Sequence, residues 1–251
     1  MQKIALSFAM LFFLPSLVVT SEASVVTSAA SETAPPLAPI AKELKQQLLG
    51  SPIYIQIFKE ERIFELYAKV GNEYRLLEQY PICKYSGGLG PKRVEGDLKS
   101  PEGFYQVDLR QLKPDSQYYR AINIGFPNDY DKSQGYSGRY LMIHGECVSV
   151  GCYAMTNTYM DEIYRYAEAA LQNGQAKIDI AIYPFRMTEQ NMQRHRNSTY
   201  ASFWKQLQPG YAYFNQHNQP PAVTVFNGQY VVNPPLMTSQ PTLKYALAET
   251  K

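Results

Sequence analysis

The sequence predicts an α+β fold, mostly strand with at least one packed helix, and three patterns predict it. Ile53, Ile55 and Ile57 alternate with Tyr54, Gln56 and Phe58, and Phe64, Leu66 and Ala68 repeat the two-residue period. Ile163, Ala167, Ala170 and Leu171 fall at helical spacing, and Gly174 closes that run. Asn227-Gly228 joins Ala222–Phe226 to Gln229–Val232, the signal of a hairpin on a type I′ turn. Of 251 residues, 45% are hydrophobic and 18% charged, which excludes a mainly disordered chain and a coiled coil. A net charge of +2 excludes a general electrostatic grip on nucleic acid, which needs a strong basic excess.

The elements follow in order. Residues 1–23 read as an export signal: Lys3, an apolar run from Ile4 to Val19, then Ser21 and Ala23 bracketing Glu22. The run is short and holds Pro15, unlike a membrane anchor. Cleavage after Ala23 implies an exported, periplasmic protein with no integral membrane span. Residues 24–50 form a Ser/Ala/Thr/Pro tether and a short helix, Ala41–Leu49, stopped by Gly50. A core domain over 51–186 begins with the alternating strands. Gly71-Asn72 is a turn signal, and Tyr74–Ile82, Gly103–Leu109, Arg139–Ile143 and Lys177–Tyr183 are strand candidates. Lys113–Gly138 is too long for a plain loop and is expected to carry function or small elements of its own. Thr158 is a candidate helix cap, with Asp161 and Glu162 in the first turn. A smaller C-terminal extension, 187–233, holds helical segments at Thr188–Arg196 and Tyr200–Gln208 before the hairpin. Residues 234–251 read as a disordered tail.

The chemistry concentrates in Tyr140–Thr156. His144 ends an apolar strand, and Cys152 follows Gly151 on a turn leading to a helix. A thiol is mostly protonated at neutral pH; an imidazole or a helix N-terminus beside it favours the thiolate, so a lowered thiol pKa is expected. This predicts an acyl-transfer pair, with Cys152 as nucleophile and His144 as proton donor and acceptor. Amides at Gly151 and Cys152 are candidate oxyanion donors. Ser149 is placed to position the turn. Tyr153, Tyr140 and Tyr136 are candidates to line a substrate groove, with Gly87 and Gly88 in its floor. His195 and His217 read as surface residues. Other readings of the sulfurs stay open: Cys152 as an inert core residue, a Cys147–Cys152 disulfide, or a zinc set of His144, Cys147 and Cys152 with Cys83. A Cys83–Cys147 bridge, in turn, leaves Cys152 as the free thiol.

His144-Gly145 followed by Ser149-x-Gly151-Cys152, with Ser86-Gly87-Gly88 and Ser100-Pro101-Glu102-Gly103-Phe104-Tyr105 upstream, resembles the L,D-transpeptidase catalytic domain (YkuD-like) family. The resemblance covers about Ser51 to Phe185. It implies a mostly β sandwich whose cysteine acts on peptidoglycan stem peptides; that chemistry requires no cofactor, and no metal is expected. The sequence departs from the family pattern in its short interval from His144 to Cys152 and in Ala154, where an arginine is usual. Cys147–Thr156 and Tyr183–Thr188 resemble the YafK branch, similar to the periplasmic enzyme that detaches murein (Braun) lipoprotein from peptidoglycan. The implied reaction is hydrolysis of the amide between diaminopimelate and the lipoprotein's lysine. The alternatives are an L,D-transpeptidase that forms peptidoglycan cross-links or lipoprotein attachments, or a non-catalytic wall-binding module.

Overall fold

The structure, a computed structural model, describes residues 42–234. The expected leader, the tether and all but the first residue of the tail lie outside the described residues. The elements are α1 (Lys42–Gln47), β1 (Ile53–Phe58), β2 (Ile63–Val70), β3 (Glu73–Pro81), β4 (Gly103–Val107), β5 (Leu112–Ser116), β6 (Tyr119–Asn123), α2 (Asp129–Ser133), β7 (Met142–His144), β8 (Tyr153–Ala154), α3 (Asn157–Gln172), β9 (Ile178–Tyr183), α4 (Glu189–Arg194), α5 (Ala201–His217), β10 (Val223–Phe226) and β11 (Gln229–Val232). The predicted α+β class is the observed one.

Two sheets and a hairpin result. The large sheet runs β3-β2-β1-β9-β4, with β1 and β9 parallel and the other pairs antiparallel. The small sheet runs β5-β6-β7-β8, with β7 and β8 parallel. All six residues of β1 are buried, because the large sheet is covered on both faces. Ile53, Ile55 and Ile57 join a core with Met160, Ile163 and Ala167 of α3 and with Ile122, Ile143 and Tyr153 of the small sheet. Tyr54 and Phe58 point the other way, into an aromatic layer with Trp204, Leu207, Tyr211 and Phe214 of α5. The C-terminal segment is therefore the second cover of the central sheet. Each such side chain contributes roughly 1.5–3 kcal/mol on burial.

Several boundaries differ from the sequence reading. α3 is capped by Thr156, whose side chain accepts from the Tyr159 amide at 3.3 Å, and not by Thr158. Thr156 holds the extended backbone that a cap needs, and Thr158 is already inside the helix. The strand predicted at Arg139–Ile143 is shorter and starts later, at Met142–His144, since Tyr140 sits at φ 58, outside the extended region. Lys113–Gly138 contains parts of β5, all of β6, and α2. α5 runs straight through Pro209 to His217. Pro209 removes one helical hydrogen bond, but burial of Trp204, Leu207, Tyr211 and Phe214 carries the helix past it. Gly210 is where Phe104 meets the helix: a Cβ there would lie 2.5 Å from the Phe104 ring.

Candidate active site

The site forms at β7 and β8. Ile143 pairs with Tyr153 and His144 with Ala154 in a parallel register, so Cys152 enters one row before that pair. Side chains alternate along a strand. Tyr153 points into the core, so Cys152 and His144 emerge on the opposite, shared face from neighbouring strands. The imidazole is buried, and Tyr118 lies over it with ring centroids 5.0 Å apart. His144 Nδ1 lies 2.6 Å from the Gly145 carbonyl. A carbonyl only accepts, so Nδ1 carries the proton and Nε2 holds the free lone pair, the state of a general base.

Cys152 is half-buried and is the one cysteine outside a disulfide. Its Sγ donates to the Tyr140 carbonyl at 3.7 Å and makes no hydrogen bond to His144. Burial pushes the thiol pKa up, against smaller opposing pulls from the Met142 amide and the Lys92 charge. Burial pushes the His144 pKa down, opposed by its bond to Gly145. Both shifts favour neutral forms, so the pair rests as thiol and imidazole. This corrects the expectation of a lowered thiol pKa. The helix end and the imidazole do not offset desolvation, because neither donates a hydrogen bond to the sulfur.

The turn that holds the thiol is fastened from three sides. Ser149 Oγ donates to the Cys152 carbonyl at 2.8 Å, and Ser100 Oγ donates to the same oxygen at 3.0 Å. Gly151, at φ +103, adopts a backbone that other residues resist. Its amide donates to Ser86 Oγ at 2.6 Å. That corrects its expected oxyanion role, since the N–H is already used. The Cys152 amide has no acceptor among the described residues and remains available. Sequence reasoning assigned no role to Ser86 or Ser100, nor to Tyr118. The two serines flank the glycine-rich loop, a visible signal, whereas Tyr118 stands in an unpatterned stretch.

Glu102 explains why that loop is firm. It is fully buried; its Oε1 accepts from Lys59 Nζ at 2.9 Å and from the Gly90 amide at 2.7 Å, and its Oε2 accepts from the Trp204 indole at 2.8 Å. Lys59, also fully buried, donates to the Ser100 carbonyl at 2.9 Å. The buried pair thus ties α5 and β1's end to the loop that holds Cys152.

The remaining predicted residues separate. Tyr153 is fully buried and its hydroxyl donates to the Pro101 carbonyl at 2.6 Å, so it cannot line a groove. Tyr140 is 65% exposed, with Arg139 stacked on it. Tyr136 is half-buried against Tyr130, under Arg93. Gly87 and Gly88 lie exposed in the loop, Gly87 against Lys99 and Leu98 and Gly88 facing open space. A disulfide joins Cys83 to Cys147, which removes the Cys147–Cys152 bridge and takes two thiols out of the zinc set. Among the described residues no group of three or more His, Cys, Asp and Glu is arranged to hold a metal. His195 is not a plain surface residue: it stacks on Phe185 and pairs with Glu60 at 3.1 Å.

Comparison with known proteins decides the family. Residues 52–180 match the L,D-transpeptidase catalytic domain, YkuD. The chain belongs to the YkuD L,D-transpeptidase family. It is 57% identical, over the whole of both chains, to YafK of Escherichia coli (strain K12), a protein provisionally named as an L,D-transpeptidase. Among solved structures it is similar to the helical cell shape determining protein Pgp2 from Campylobacter jejuni. The TM-score is 0.45 and the identity 21%, over 65% of this chain and 59% of that one. Bd1075 of Bdellovibrio bacteriovorus follows at TM-score 0.39 and 17% identity, over 70% and 78%. The family acts on peptidoglycan, and this chain is an L,D-transpeptidase-family enzyme.

Proposed function

We propose that the protein is a periplasmic cysteine amidase that cleaves the amide between diaminopimelate in a peptidoglycan stem peptide and the terminal lysine of murein lipoprotein. The observation that carries the chemistry is the shared face of Cys152 and His144, with Nδ1 held by the Gly145 carbonyl and Nε2 left as a base. The finer assignment of substrate rests on the likeness of Cys147–Thr156 and Tyr183–Thr188 to the YafK branch.

The reaction begins from the neutral pair. His144 Nε2 takes the Cys152 proton as the sulfur attacks the carbonyl carbon of the diaminopimelate L-centre. The Cys152 amide donates to the oxyanion. The carbon–nitrogen bond breaks, and His144 returns its proton to the departing lysine amine. A thioester remains. Water, deprotonated by His144, attacks it and releases a free carboxylate and the thiol. Apo distances between such groups are often long and tighten with substrate, which fits a thiol presently bonded to Tyr140.

Sacculi carrying the lipoprotein, digested after treatment with purified protein, test this. Loss of lipoprotein-linked muropeptides with Cys152 intact, and none with Cys152→Ala, supports hydrolysis. New cross-linked species without that loss would assign the protein to link formation instead.

A further inference from the structure

We propose that Lys84 is a specificity residue that receives a free carboxylate on the acyl-donor side of the scissile amide; this rests on the function proposed above. Lys84 bridges β8 from outside the small sheet, exchanging both backbone bonds with Ala154 at 3.1 and 2.8 Å. Residues paired this way project to the same face. Ala154 shares its face with His144, its other partner, and with Cys152 two residues back. The next residue confirms the alternation: Tyr85 stacks with Tyr153 at 6.3 Å on the core side. Lys84 therefore stands on the catalytic face, exposed, one strand beyond the cysteine and two beyond the histidine. The Cys83–Cys147 disulfide fixes its backbone.

Other cations of the loops and strands that frame the site are engaged. Lys59 pairs with Glu102, Lys92 with Asp97 and Arg139 with Glu95. Lys99 donates to the carbonyls of Gly87 and Leu89, Arg62 donates to the Cys83 carbonyl, and Arg93 lies over Tyr200. Lys84 Nζ has no hydrogen bond and no ion pair among the described residues. An exposed ammonium with no internal partner, on the same face as a nucleophile, is a counter-charge for an anionic substrate group.

Geometry selects which side of the substrate that is. His144 must reach the leaving amine, so the leaving group lies over β7. Lys84 lies on the far side of Cys152, where the acyl portion remains after cleavage. The carboxylate on the second, D-configured centre of diaminopimelate is of the right kind there.

The test uses the whole mature protein and a stem peptide ending in diaminopimelate amide-linked to lysine. Two analogues carry a carboxamide, one on the D-centre and one on the lysine α-carboxyl. Lys84→Gln should raise KM about tenfold with kcat within about twofold, and Lys84→Arg should restore KM. On the D-centre carboxamide, wild type and Lys84→Gln should match. An unchanged KM in Lys84→Gln overturns the inference, as does a difference that survives D-centre amidation or disappears only with lysine amidation. Calorimetric binding of the acidic peptide to Cys152→Ala, with and without Lys84→Gln, gives a readout without turnover. Tenfold weaker binding, abolished by D-centre amidation, supports Lys84 even if no substrate is cleaved, which would instead defeat the function proposed above. Equal binding overturns Lys84 whatever the turnover.

Discussion

Ser100 Oγ donates to the main-chain carbonyl of Cys152 at 3.0 Å, while the Ser86 amide donates to that same hydroxyl at 3.2 Å. The loop before β4 and the cysteine turn are thereby one unit. Ser100→Ala removes both bonds and leaves the Ser86 amide seeking water. The expected cost is about 1–2 kcal/mol in urea unfolding. The larger effect should be on rate: kcat falls at least about tenfold while KM changes little, because the thiol loses its aim.

The resting pair is neutral, and thiol alkylation reads that directly. Iodoacetamide reaction at Cys152 should accelerate with a midpoint above the ordinary thiol value, since burial is the dominant influence. Turnover should behave differently. It needs neutral His144, whose pKa is lowered by burial, so activity should persist below pH 6.5 on its acid limb. Alkylation with a midpoint near pH 6 would mean an imidazolium–thiolate pair.

Tyr118 packs its ring against the His144 imidazole, with centroids 5.0 Å apart. Tyr118→Ala should let water reach the imidazole and move its pKa up toward the ordinary value. The acid limb of the rate profile should move up with it. NMR titration of the His144 ring follows both changes, and an unmoved ring pKa would show that other groups exclude the water.

Asp131 gives a stability prediction away from the site. It is buried beside Tyr105, whose hydroxyl donates to it at 3.0 Å, and burial raises its pKa to about 7. A raised carboxyl binds its proton more tightly in the folded chain, so folding stability should fall as pH rises from about 4 to about 7. The slope is at most about 1.4 kcal/mol per pH unit. Asp131→Asn keeps acceptor capacity and should flatten that slope in denaturant titrations.

Much of this was legible in the sequence where one residue type had one physical reading. β1 and β2 announced themselves by strict alternation, and Asn227-Gly228 by left-handed φ values of 50 and 71 that few other pairs tolerate. The positions of His144 at a strand end and of Cys152 on the turn before a helix were legible because an apolar run leads into the imidazole and glycine precedes the thiol. What stayed hidden depended on long-range burial. Tyr153 reads as a groove residue, yet only the tertiary fold reveals that its hydroxyl is spent on Pro101. The passage of α5 through Pro209 needed the aromatic layer on β1, and the neutral state of the pair needed desolvation that no local pattern encodes. The serines that hold the turn act across 52 and 65 positions in sequence.

Intact-protein mass spectrometry during turnover of a diaminopimelate–lysine conjugate is the most direct measurement. Wild-type protein, quenched in acid, should gain the mass of the acyl donor on Cys152, and hydroxylamine should remove it. Cys152→Ala should gain nothing and release no lysine. Release of lysine by Cys152→Ala at the wild-type rate would contradict the thioester route.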